Sequence, residues 1–305
     1  MPSSEAPVVL CAGIAVQDIV FRVAHFPPPG GKCMTDQFKI VSGGCAVNAA
    51  IAVARLGGRA RYAGPLGDEA DSVSNQLMDE MRREGVDASG VVRVKGATAP
   101  VSGIMIDAAG ERMIATYRDR SIEAAHVVDP DSLVKDVALL LADNRFPDFV
   151  RPICLAARRR GVPVLLDADR PTVEDDPLFG IATHIIFSAE CLRETTRQTD
   201  LAGGLQCFTA RTNAFLAVSD GPNEVRYIAD GGLRTMPVFR VEAVDTLAAG
   251  DVFHAGIALA LAEGSDELAA MRFGAAAAGL KCTRFGGSMG APKRAEVEAF
   301  LAQQR

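Results

Sequence analysis

The chain has 305 residues, a formal net charge of −6 at pH 7 and a sequence pI of about 5.4. Because binding to nucleic acid needs a broad cationic surface, this acidic balance argues against a nucleic-acid partner. No apolar stretch is long enough to cross a bilayer, and the start of the chain lacks the cationic region of a secretion signal, so we expect a cytoplasmic protein with no membrane partner.

The first predicted elements are a buried strand and a pair of half-exposed β segments. The apolar run at 8–13 predicts the strand, and Asp18 is expected at its carboxyl end, where open α/β folds bind ligands. The segments 19–23 and 35–41 alternate partly between polar and apolar residues, and a stiff turn of three Pro and two Gly lies between them. These segments predict a small second β layer.

The next predicted element is a helix that follows the glycine pair Gly43-Gly44 and ends near Leu56. Apolar residues surround this helix on every side, which predicts that it is buried. Asn48 is its conspicuous polar residue, and a buried Asn needs hydrogen-bond partners. Asn48 is therefore a candidate site residue.

A surface helix and a hairpin are predicted after it. Residues 71–84 have the spacing of an amphipathic helix with one apolar side. The segments 101–106 and 112–117 are joined by an Asp-Ala-Ala-Gly turn, which predicts a β-hairpin. We expect this hairpin to complete the second β layer.

Strands and helices alternate regularly from residue 137 onward, which is typical of βαβ units and predicts a largely parallel sheet covered by helices. A later section at 224–228 and 238–244 is expected to be antiparallel or to lie at the sheet edge. A final helix is predicted from Ser265 to the glycine pair at 286–287. The alternating strands are at 137–142, 162–167, 184–187 and 214–219, with helices at 149–160 and 191–211.

Residues 244–256 combine a β-branched start, a small-residue loop and an apolar helix. The first N–H groups of a helix lack intrahelical partners and carry partial positive charge, so such a loop can bind an anion. A lone Asp before a helix is usually a cap. Asp245, Thr246, the Ala-Ala-Gly turn and Asp251 together exceed what a cap requires. This favours Asp251 as a base that deprotonates a hydroxyl while the turn's amides hold a phosphoryl group.

Three common kinds of site do not fit the sequence. The Gly-Gly-Lys at 30–32 is no P-loop, because Phe26 occupies the first Gly position and Cys33 replaces Ser or Thr. The stretch at 11–15 lacks the spaced glycines of a dinucleotide fingerprint. The seven Cys and four His have no metal-ligand spacing, so they indicate neither zinc nor a disulfide framework. A nucleotide site would need another design.

Residues 245–251, Asp-Thr-Leu-Ala-Ala-Gly-Asp, resemble the Asp-Thr-x-Gly-Ala-Gly-Asp signature of the ribokinase-like (PfkB) carbohydrate kinases, with Ala248 where the family most often has Gly. The glycine pair followed by Asn48 is similar to the family's N-terminal signature, and Asp18 is similar in placement to its first-strand Asp. The resemblance covers essentially the whole chain. It implies an α/β fold with three α/β/α layers, a mainly parallel central sheet and a small β-sheet lid. The single domain would cover residues 1–305, and the lid about 18–41 and 98–119.

The resemblance carries the family's roles to matching positions. In such enzymes the equivalent of Asp251 is the base, and the loop equivalent to Ala248, Ala249 and Gly250 cradles the transferred phosphoryl group. It therefore implies a kinase that uses ATP to phosphorylate a primary hydroxyl of a sugar. The residues implied to bind the sugar are Asp18, Gly43, Gly44 and Asn48.

The cofactors implied by the resemblance are ATP and Mg²⁺, and a monovalent cation such as K⁺ is a further candidate near Gly286-Gly287. Residues 219–221, Ser-Asp-Gly, are similar to a nucleotide-side loop that usually reads Thr-x-Gly. The family's Asn-x-x-Glu, which helps organise magnesium, falls at 188–191, where neither half matches, so Glu190 or Glu194 is the candidate to act through water. The residues implied on the nucleotide side are Thr246, Ser219, Gly221 and Gly287.

Three further residues bear on the substrate. Lys32 in the lid and Arg145 after the strand at 137–142 make the chain look closest to sulfofructose kinases, which phosphorylate the C1 hydroxyl of 6-deoxy-6-sulfofructose. In that subgroup a Lys, an Arg and an Asn hold the sulfonate, and Thr116 stands at the Asn position here. An Arg fork and a Lys charge suit an anionic end group. The alternative is a solvated Lys and a structural ion pair.

Other functions stay open at this point. The substrate could be an uncharged ketohexose, a nucleoside, or a ketodeoxy sugar acid whose carboxylate pairs with Arg145. The missing Asn-x-x-Glu also permits a sugar- or nucleotide-sensing protein with little catalysis, although the retained Asp251 argues against it. Because the lid of such kinases often forms a dimer interface, we expect a homodimer, with a sugar and ATP as small-molecule partners.

Overall fold

A computed structural model describes residues 6–304, which form thirteen strands and ten α-helices. Within that part of the chain, no helix combines the length and the apolar character that crossing a membrane requires. The strands are β1 (Val8–Ala12), β2 (Val16–Arg22), β3 (Gln37–Gly43), β4 (Arg59–Leu66), β5 (Asp87–Arg93), β6 (Val101–Ile106), β7 (Arg112–Tyr117), β8 (Leu139–Asp143), β9 (Val164–Ala168), β10 (His184–Ser188), β11 (Phe215–Ser219), β12 (Val225–Ala229) and β13 (Gly232–Met236). The helices are α1 (Cys45–Arg55), α2 (Ser72–Arg83), α3 (Pro130–Leu133), α4 (Pro147–Arg159), α5 (Pro177–Ile181), α6 (Ala189–Thr196), α7 (Leu201–Thr209), α8 (Ala249–Ala262), α9 (Glu267–Cys282) and α10 (Arg294–Gln303).

The larger of two sheets has nine strands in the order β13-β12-β11-β10-β9-β8-β1-β4-β5. The seven strands from β11 to β5 pair in parallel, whereas β12 and β13 add antiparallel at one edge. The central strands are apolar runs: all five residues of β1, β8 and β9 are buried. Such continuous runs are typical of parallel strands that helices cover on both faces.

The side chains of β1 divide between two hydrophobic cores. Val9 and Cys11 belong to a core that includes apolar residues of α1, α8 and α9. Leu10 belongs to a second core, with residues of α4 and α7. Because successive side chains of a strand point to opposite faces, the two cores lie on opposite sides of the sheet. The three-layer α/β/α fold expected from the sequence is therefore confirmed.

The parallel arrangement brings polar residues to one edge of the large sheet. The strands β8, β9, β10 and β11 run in the same direction, so their carboxyl ends lie side by side. Asp143 ends β8, Asp167 is the penultimate residue of β9, and Ser188 and Ser219 end β10 and β11. In open α/β sheets this edge is where ligands bind.

The smaller sheet has the strand order β3-β2-β6-β7. The hairpin predicted at 101–106 and 112–117 is present with those bounds as β6 and β7. One face of the sheet packs Val20, Ile104 and Ile106 with Leu247, which lies in the loop before α8. The small sheet therefore lies against the loop that carries the strongest sequence signal.

Three strands of the large sheet have no counterpart in the sequence predictions: β4, β5 and, at the opposite edge, β13. β4 and β5 extend the sheet beyond β1. β4 reads Arg-Ala-Arg-Tyr-Ala-Gly-Pro-Leu and β5 reads Asp-Ala-Ser-Gly-Val-Val-Arg, so both contain residues that are depleted in strands. Pairing of β4 with β1, and of β5 with β4, supplies the backbone hydrogen bonds that their local propensity does not indicate.

Two other expectations were wrong in detail. The strand expected at 238–244 is absent, because Val238 and Phe239 pack against the helical layer instead, where the Phe239 and Phe300 rings meet edge-on at 5.2 Å. The helix expected at 191–211 is divided into α6 and α7, since Arg197 adopts a left-handed conformation with φ 55° that ends α6.

Candidate active site

Asp245 fixes the loop that leads into α8. Its carboxylate is fully buried and accepts hydrogen bonds from the backbone N–H groups of Leu247 (2.8 Å), Gly286 (2.8 Å) and Gly287 (3.1 Å). Lys281 is also fully buried; its Nζ donates to the Asp245 carbonyl at 2.7 Å and lies 3.3 Å from Asp245 Oδ2. This carboxylate has no free oxygen for a ligand, so it organises the backbone around it.

Ala248 occupies a backbone conformation that favours glycine. It caps α8 at φ 64° and ψ 11°, in the left-handed region, which costs a residue with a Cβ about 1–2 kcal/mol. This geometry explains why the signature that residues 245–251 resemble most often has Gly at the position of Ala248, because Gly adopts the same turn without strain. The turn nevertheless forms, and it starts α8 at Ala249.

The turn exposes backbone donors, although not all of those expected. Ala249 was expected to help hold a phosphoryl group, but its N–H donates to the Thr246 carbonyl at 3.2 Å and is therefore occupied. Within residues 6–304, the N–H groups of Ala248, Gly250 and Asp251 have no hydrogen-bond acceptor. A Cβ added to Gly250 would meet nothing within 4 Å, so this turn faces open space. The unpaired donors suit an anion.

Asp251 is the third residue of α8, and its carboxylate is held by Asn48. Nδ2 of Asn48 donates to Oδ2 of Asp251 at 2.6 Å. Burial, and then the neighbouring Asp167 carboxylate, raise the pKa of Asp251 to about 6, against the opposing hydrogen bond from Asn48. A carboxyl with this pKa is ionised at neutral pH and is basic enough to accept a proton.

Asn48 retains an unused acceptor. Its Oδ1 is buried and has no hydrogen-bond partner among the described residues. Buried polar atoms are rarely left unpaired, so an acceptor beside the Asp251 carboxylate suits a ligand hydroxyl.

A group of metal-ligand type surrounds Asp251. One atom each of Cys45, Asp167 and Asp251 lie within 4.8 Å of one another. His254, one turn further along α8, places Nε2 3.6 Å from Asp167 Oδ1 and Nδ1 2.8 Å from the Gly250 carbonyl oxygen. The site thus concentrates negative charge next to the free amides of the helix start.

Asp18 lies inside a strand of the small sheet, not at the carboxyl end of β1 as expected. The chain crosses from β1 to the small sheet before Asp18, which is the third residue of β2. Burial raises the pKa of the Asp18 carboxyl to about 7, against the opposing hydrogen bond from the Ser102 hydroxyl. A Cβ on Gly43 would lie 1.9 Å from Asp18 Oδ2, so only glycine allows this approach.

Gly44 and Gly13 also allow close approach. Gly44 has φ 88°, and a Cβ there would lie 2.5 Å from the Ile14 carbonyl oxygen. A Cβ on Gly13 would lie 2.0 Å from the Asp143 carboxylate, which accepts hydrogen bonds from the N–H groups of Ile14 (2.8 Å) and Arg145 (2.9 Å). Burial raises the pKa of Asp143 to about 6. These glycines let the carboxyl ends of the strands and the start of α1 come together.

Arg145 lies in a cluster of three arginines beside this edge. Its Nη2 forms an ion pair with Asp169, and its carbonyl oxygen accepts a hydrogen bond from Arg118 at 3.3 Å. The Arg118 guanidinium stacks on the Phe146 ring, 4.0 Å from its centre. Burial is the largest cause that lowers the pKa of Arg118; the charges of Arg170 and Arg145 lower it further, whereas the Glu123 carboxylate raises it. The buried Nε atoms of Arg118 and Arg145 have no hydrogen-bond partner in residues 6–304.

The other two residues expected at an anionic sugar end are not part of this cluster. Lys32 is exposed in the connection between β2 and β3 and forms no hydrogen bond or ion pair with the described residues. Thr116 is exposed on β7, where its hydroxyl is hydrogen-bonded to that of Ser102 at 2.9 Å. Because Ser102 also contacts Asp18, Thr116 belongs to the Asp18 side of the site.

Glu190 does not join the acidic group around Asp251. It is exposed in the first turn of α6, whose start is capped by Ser188 through a hydrogen bond from the Cys191 N–H at 3.2 Å. Its side chain therefore points to solvent, and the metal-ligand group within residues 6–304 consists of Cys45, Asp167 and Asp251 instead.

The residues expected on the nucleotide side lie in turns around the loop before α8 and at the end of β11. Thr246 contacts the small sheet: its hydroxyl donates to the Gly110 carbonyl at 3.3 Å, and its carbonyl accepts from Arg112 at 3.1 Å. Ser219 ends β11, with its hydroxyl 3.4 Å from the Phe187 carbonyl oxygen. Gly221 (φ 56°) and Gly287 (φ 57°) both adopt left-handed turns.

Several site residues were missed by the sequence predictions. Asp143 and Asp167 carry a recognisable signal, since each is an acid at the last or the penultimate position of an otherwise apolar strand. The others are recognised only from their spatial neighbours. They are Cys45, Arg118, Asp169, Arg170 and His254.

Known proteins resemble this chain in sequence and in fold. The sequence pattern described as pfkB family carbohydrate kinase matches residues 7–294. The Bacillus subtilis ribokinase is 28% identical over 293 residues, which are 95% of this chain and 98% of the relative. A solved Agrobacterium tumefaciens structure, provisionally named a ribokinase, has a TM-score of 0.93 and 37% identity and covers 98% of both chains. The Xylella fastidiosa fructokinase with bound ATP has a TM-score of 0.81 and 25% identity, covering 97% of this chain and 98% of its own.

Proposed function

Because the chain belongs to the pfkB family of carbohydrate kinases, we propose that it transfers the terminal phosphoryl group of ATP to a primary hydroxyl of a sugar, with Asp251 as the general base. The observation that carries this proposal is the juxtaposition at the start of α8. A carboxylate with a pKa of about 6 lies directly beside unpaired backbone donors. Base and anion site are thus within one helical turn.

The phosphoryl group is held by the N–H groups of Ala248, Gly250 and Asp251 in this proposal. These donors have no acceptor within residues 6–304, and the dipole of a 14-residue helix adds partial positive charge at the same point. Ala249 contributes by shaping the turn, since its own N–H is bound to Thr246. The nucleotide is bound by ATP-side turns at Thr246, Ser219, Gly221 and Gly287.

The sugar lies between Asn48 and Asp18. The unpaired Oδ1 of Asn48 accepts a hydrogen bond from one hydroxyl, and the neighbouring Asp251 carboxylate takes the proton of the hydroxyl that attacks. Asp18 accepts from hydroxyls further along the sugar. Gly43 and Gly44 keep the wall between them free of side chains.

The donor set around Asp251 fits magnesium in part. Mg²⁺ prefers oxygen ligands and keeps several waters, so the Asp167 and Asp251 carboxylates suit it, while the Cys45 thiol does not. Burial raises the pKa of the Cys45 thiol, which keeps it neutral. Asp167 would hold Mg²⁺, and the ion would supply neutralisation of charge on the ATP phosphates. Glu190 is too exposed for this role.

The substrate class that the site supports best is a ketohexose with an anionic end, such as 6-deoxy-6-sulfofructose, giving the 1-phosphate. The support comes from the Arg118, Arg145 and Arg170 cluster, where two guanidinium Nε atoms lack partners and a sulfonate can accept from several N–H groups. Asp169 holds Arg145 in place without neutralising the whole cluster. Lys32 and Thr116 are secondary to these arginines.

The experiment is ADP release over a panel of 6-deoxy-6-sulfofructose, fructose, ribose, a ketodeoxy sugar acid and a nucleoside. We expect the highest kcat/KM for the anionic ketohexose. Arg145→Ala should raise its KM by about tenfold or more and leave the KM for fructose nearly unchanged, because loss of a charged hydrogen bond costs about 1.5–3 kcal/mol. The matched control is Arg151→Ala on α4, whose ion pair with Asp148 lies on the surface.

Two outcomes of this panel favour other functions. An unchanged KM of Arg145→Ala for the sulfonated sugar removes the anionic end and leaves an uncharged ketohexose or a nucleoside. Binding of a sugar without turnover on any member of the panel favours a sensor. Turnover that requires Mg²⁺ and a sugar, and that Asp251→Asn abolishes, supports the kinase.

We further infer that the chain forms one domain and dimerises in the cytoplasm through the small sheet. Phe21 pairs with Phe38 across β2 and β3, and the same sheet face exposes Ile40, Met113 and Tyr117. An apolar face of this kind is rarely left open to water. Phe38→Asp should convert the dimer to a monomer in light-scattering measurements; a monomeric parent protein contradicts the inference.

A further inference from the structure

Lys281 is a buried cation at the base of the candidate active site. It lies on α9 with no exposed surface, and its Nζ donates to the Asp245 carbonyl at 2.7 Å and lies 3.3 Å from Asp245 Oδ2. A lysine is rarely buried completely unless it is paired, because removing its charge from water is costly. Its position therefore needs an explanation beyond packing.

The Asp245 carboxylate links this ammonium to the loop before α8. The same carboxylate accepts from the N–H groups of Leu247, Gly286 and Gly287, so it joins the loop to the turn that follows α9. The pair of Lys281 and Asp245 thus fixes the backbone conformation of the loop a few residues before the unpaired N–H groups of Gly250 and Asp251.

Two more cationic side chains bind carbonyl oxygens of the same region. Arg112 of β7 donates to the Thr246 carbonyl at 3.1 Å, and Lys39 of β3 donates to the Phe285 carbonyl at 3.0 Å. Together with Lys281, three positive side chains occupy the carbonyl oxygens of residues 245, 246 and 285. Each comes from a different element of the fold.

This arrangement does not fit a bound K⁺ near Gly286-Gly287. A monovalent cation would need several oxygen ligands. The Asp245 carboxylate oxygens already accept from backbone N–H groups, and the neighbouring carbonyl oxygens already accept from positive side chains. A further positive charge beside a buried ammonium would be repelled strongly, because the interior screens charges weakly. The residues around this turn therefore argue against the cation that the family resemblance made a candidate.

We propose that the Lys281 ammonium serves as the built-in monovalent cation of this chain, so that the loop before α8 keeps its shape without K⁺. Lys281 is a positioning residue: it acts through Asp245 and the loop, and it touches neither the sugar nor the phosphoryl group. The activity readout of this inference rests on the proposed kinase function, whereas its stability readout does not.

The first test compares the unaltered protein in KCl and in tetramethylammonium chloride at equal ionic strength, by Tm and by sugar-dependent ADP release. A specific cation site would stabilise the folded state as the salt is titrated. We expect the same Tm in both salts and activities within about twofold of each other. An activation by KCl that exceeds this and saturates overturns the proposal. If no sugar is phosphorylated in either salt, the kinase proposal fails, and the Tm comparison still decides the role of Lys281.

The second test removes the ammonium. Lys281→Ala leaves space beside Asp245, and we expect its lowered Tm and activity to be raised by K⁺ in a saturable way, but not by tetramethylammonium. Lys281→Met fills the space without a charge and should show no such rescue. An equal loss in every salt for both variants indicates a purely structural lysine and contradicts the proposal. If Lys281→Ala does not fold, the role of Lys281 is decided by two other measurements. They are the refolding of the variant with added K⁺ and the comparison of the two salts on the unaltered protein.

Discussion

Two aspartates, six residues apart, have opposite environments. Asp245 is fully buried, its oxygens accept from three backbone N–H groups, and Lys281 compensates its charge. Asp251 has one hydrogen bond, from Asn48, and the neighbouring Asp167 carboxylate helps to raise its pKa to about 6. The two carboxylates of one loop therefore have different roles. Asp245, whose hydrogen bonds and charge are satisfied, fixes the backbone, whereas Asp251, whose charge is poorly compensated, is free to take a proton.

The largest expected effect is on turnover and comes from Asp251→Asn. An amide cannot accept the proton of the sugar hydroxyl, so kcat should fall by about two to four orders of magnitude. The variant should fold, because the amide relieves the like-charge contact with Asp167. ADP release and thermal unfolding measure the two effects. A kcat within about tenfold of the parent would remove Asp251 as the base.

The next effect is on stability and comes from Asp245→Asn. This change leaves the fully buried Lys281 ammonium without a carboxylate, so the free energy of unfolding should fall by about 3–5 kcal/mol. Urea unfolding measures it. The matched control is Asp266→Asn, an exposed cap of α9, where Asn caps about as well and little change is expected. Equal small losses for both variants would mean that the buried pair contributes little.

A third prediction concerns activity below neutral pH. Because Asp251 must be ionised to act as a base, kcat/KM should fall by about tenfold per unit as pH drops below about 6. The pH profile of ADP release measures this fall. A flat profile between pH about 7 and about 5 contradicts the assignment.

Stability should change in the opposite direction over the same range. The folded-state pKa values of Asp18 (about 7), Asp143 (about 6) and Asp251 (about 6) are raised above the unfolded value of 3.8, so folded protein binds more protons than unfolded chain in this window. Their contribution to the free energy of unfolding therefore grows as pH falls from about 7 to about 5 and is lost as pH rises through the folded values. Asp251→Asn should show a smaller change in urea unfolding than the parent. An equal change would exclude Asp251 from this set.

The smallest expected effect comes from Ala248→Gly. Glycine adopts the φ of 64° without a Cβ clash, so the free energy of unfolding should rise by about 0.5–1 kcal/mol after the larger chain entropy of glycine is subtracted. Ala249→Gly is the matched control, because Ala249 is already helical and loses stability on the same change. A loss of stability for both would mean that the turn is not strained at position 248.

The sequence was sufficient for elements whose signal is local. The β6–β7 hairpin has its predicted bounds, and α2 starts after Asp71, whose side chain caps it through Ser74 N–H. β4 and β5 were not predicted because parallel pairing stabilises them: β4 pairs with β1, which is distant in sequence, and β5 pairs with β4. The segment 238–244 was expected to be an antiparallel or edge strand, yet Val238 and Phe239 pack, half-buried, against the helical layer, an outcome that sequence pattern alone does not distinguish.

The candidate site divides in the same way. The sequence indicated the contiguous parts, namely the loop ending at Asp251 and the glycine pair with Asn48. It did not indicate the contacts between distant segments, such as Asp167 with Asp251 or Arg145 with Asp169, since each depends on which strand ends lie side by side. The position of Glu190 also depended on the fold, because its helix leaves the side chain exposed and outside the acidic group around Asp251.

The most direct test measures kcat and Tm for Asp251→Asn and Asp245→Asn in parallel, with sugar binding measured by calorimetry on the same samples. We expect Asp251→Asn to keep its Tm and to bind sugar but to lose turnover, whereas Asp245→Asn should have a lowered Tm. Unimpaired turnover in Asp251→Asn, with Tm lowered as much as in Asp245→Asn, would contradict the division of labour between the two carboxylates.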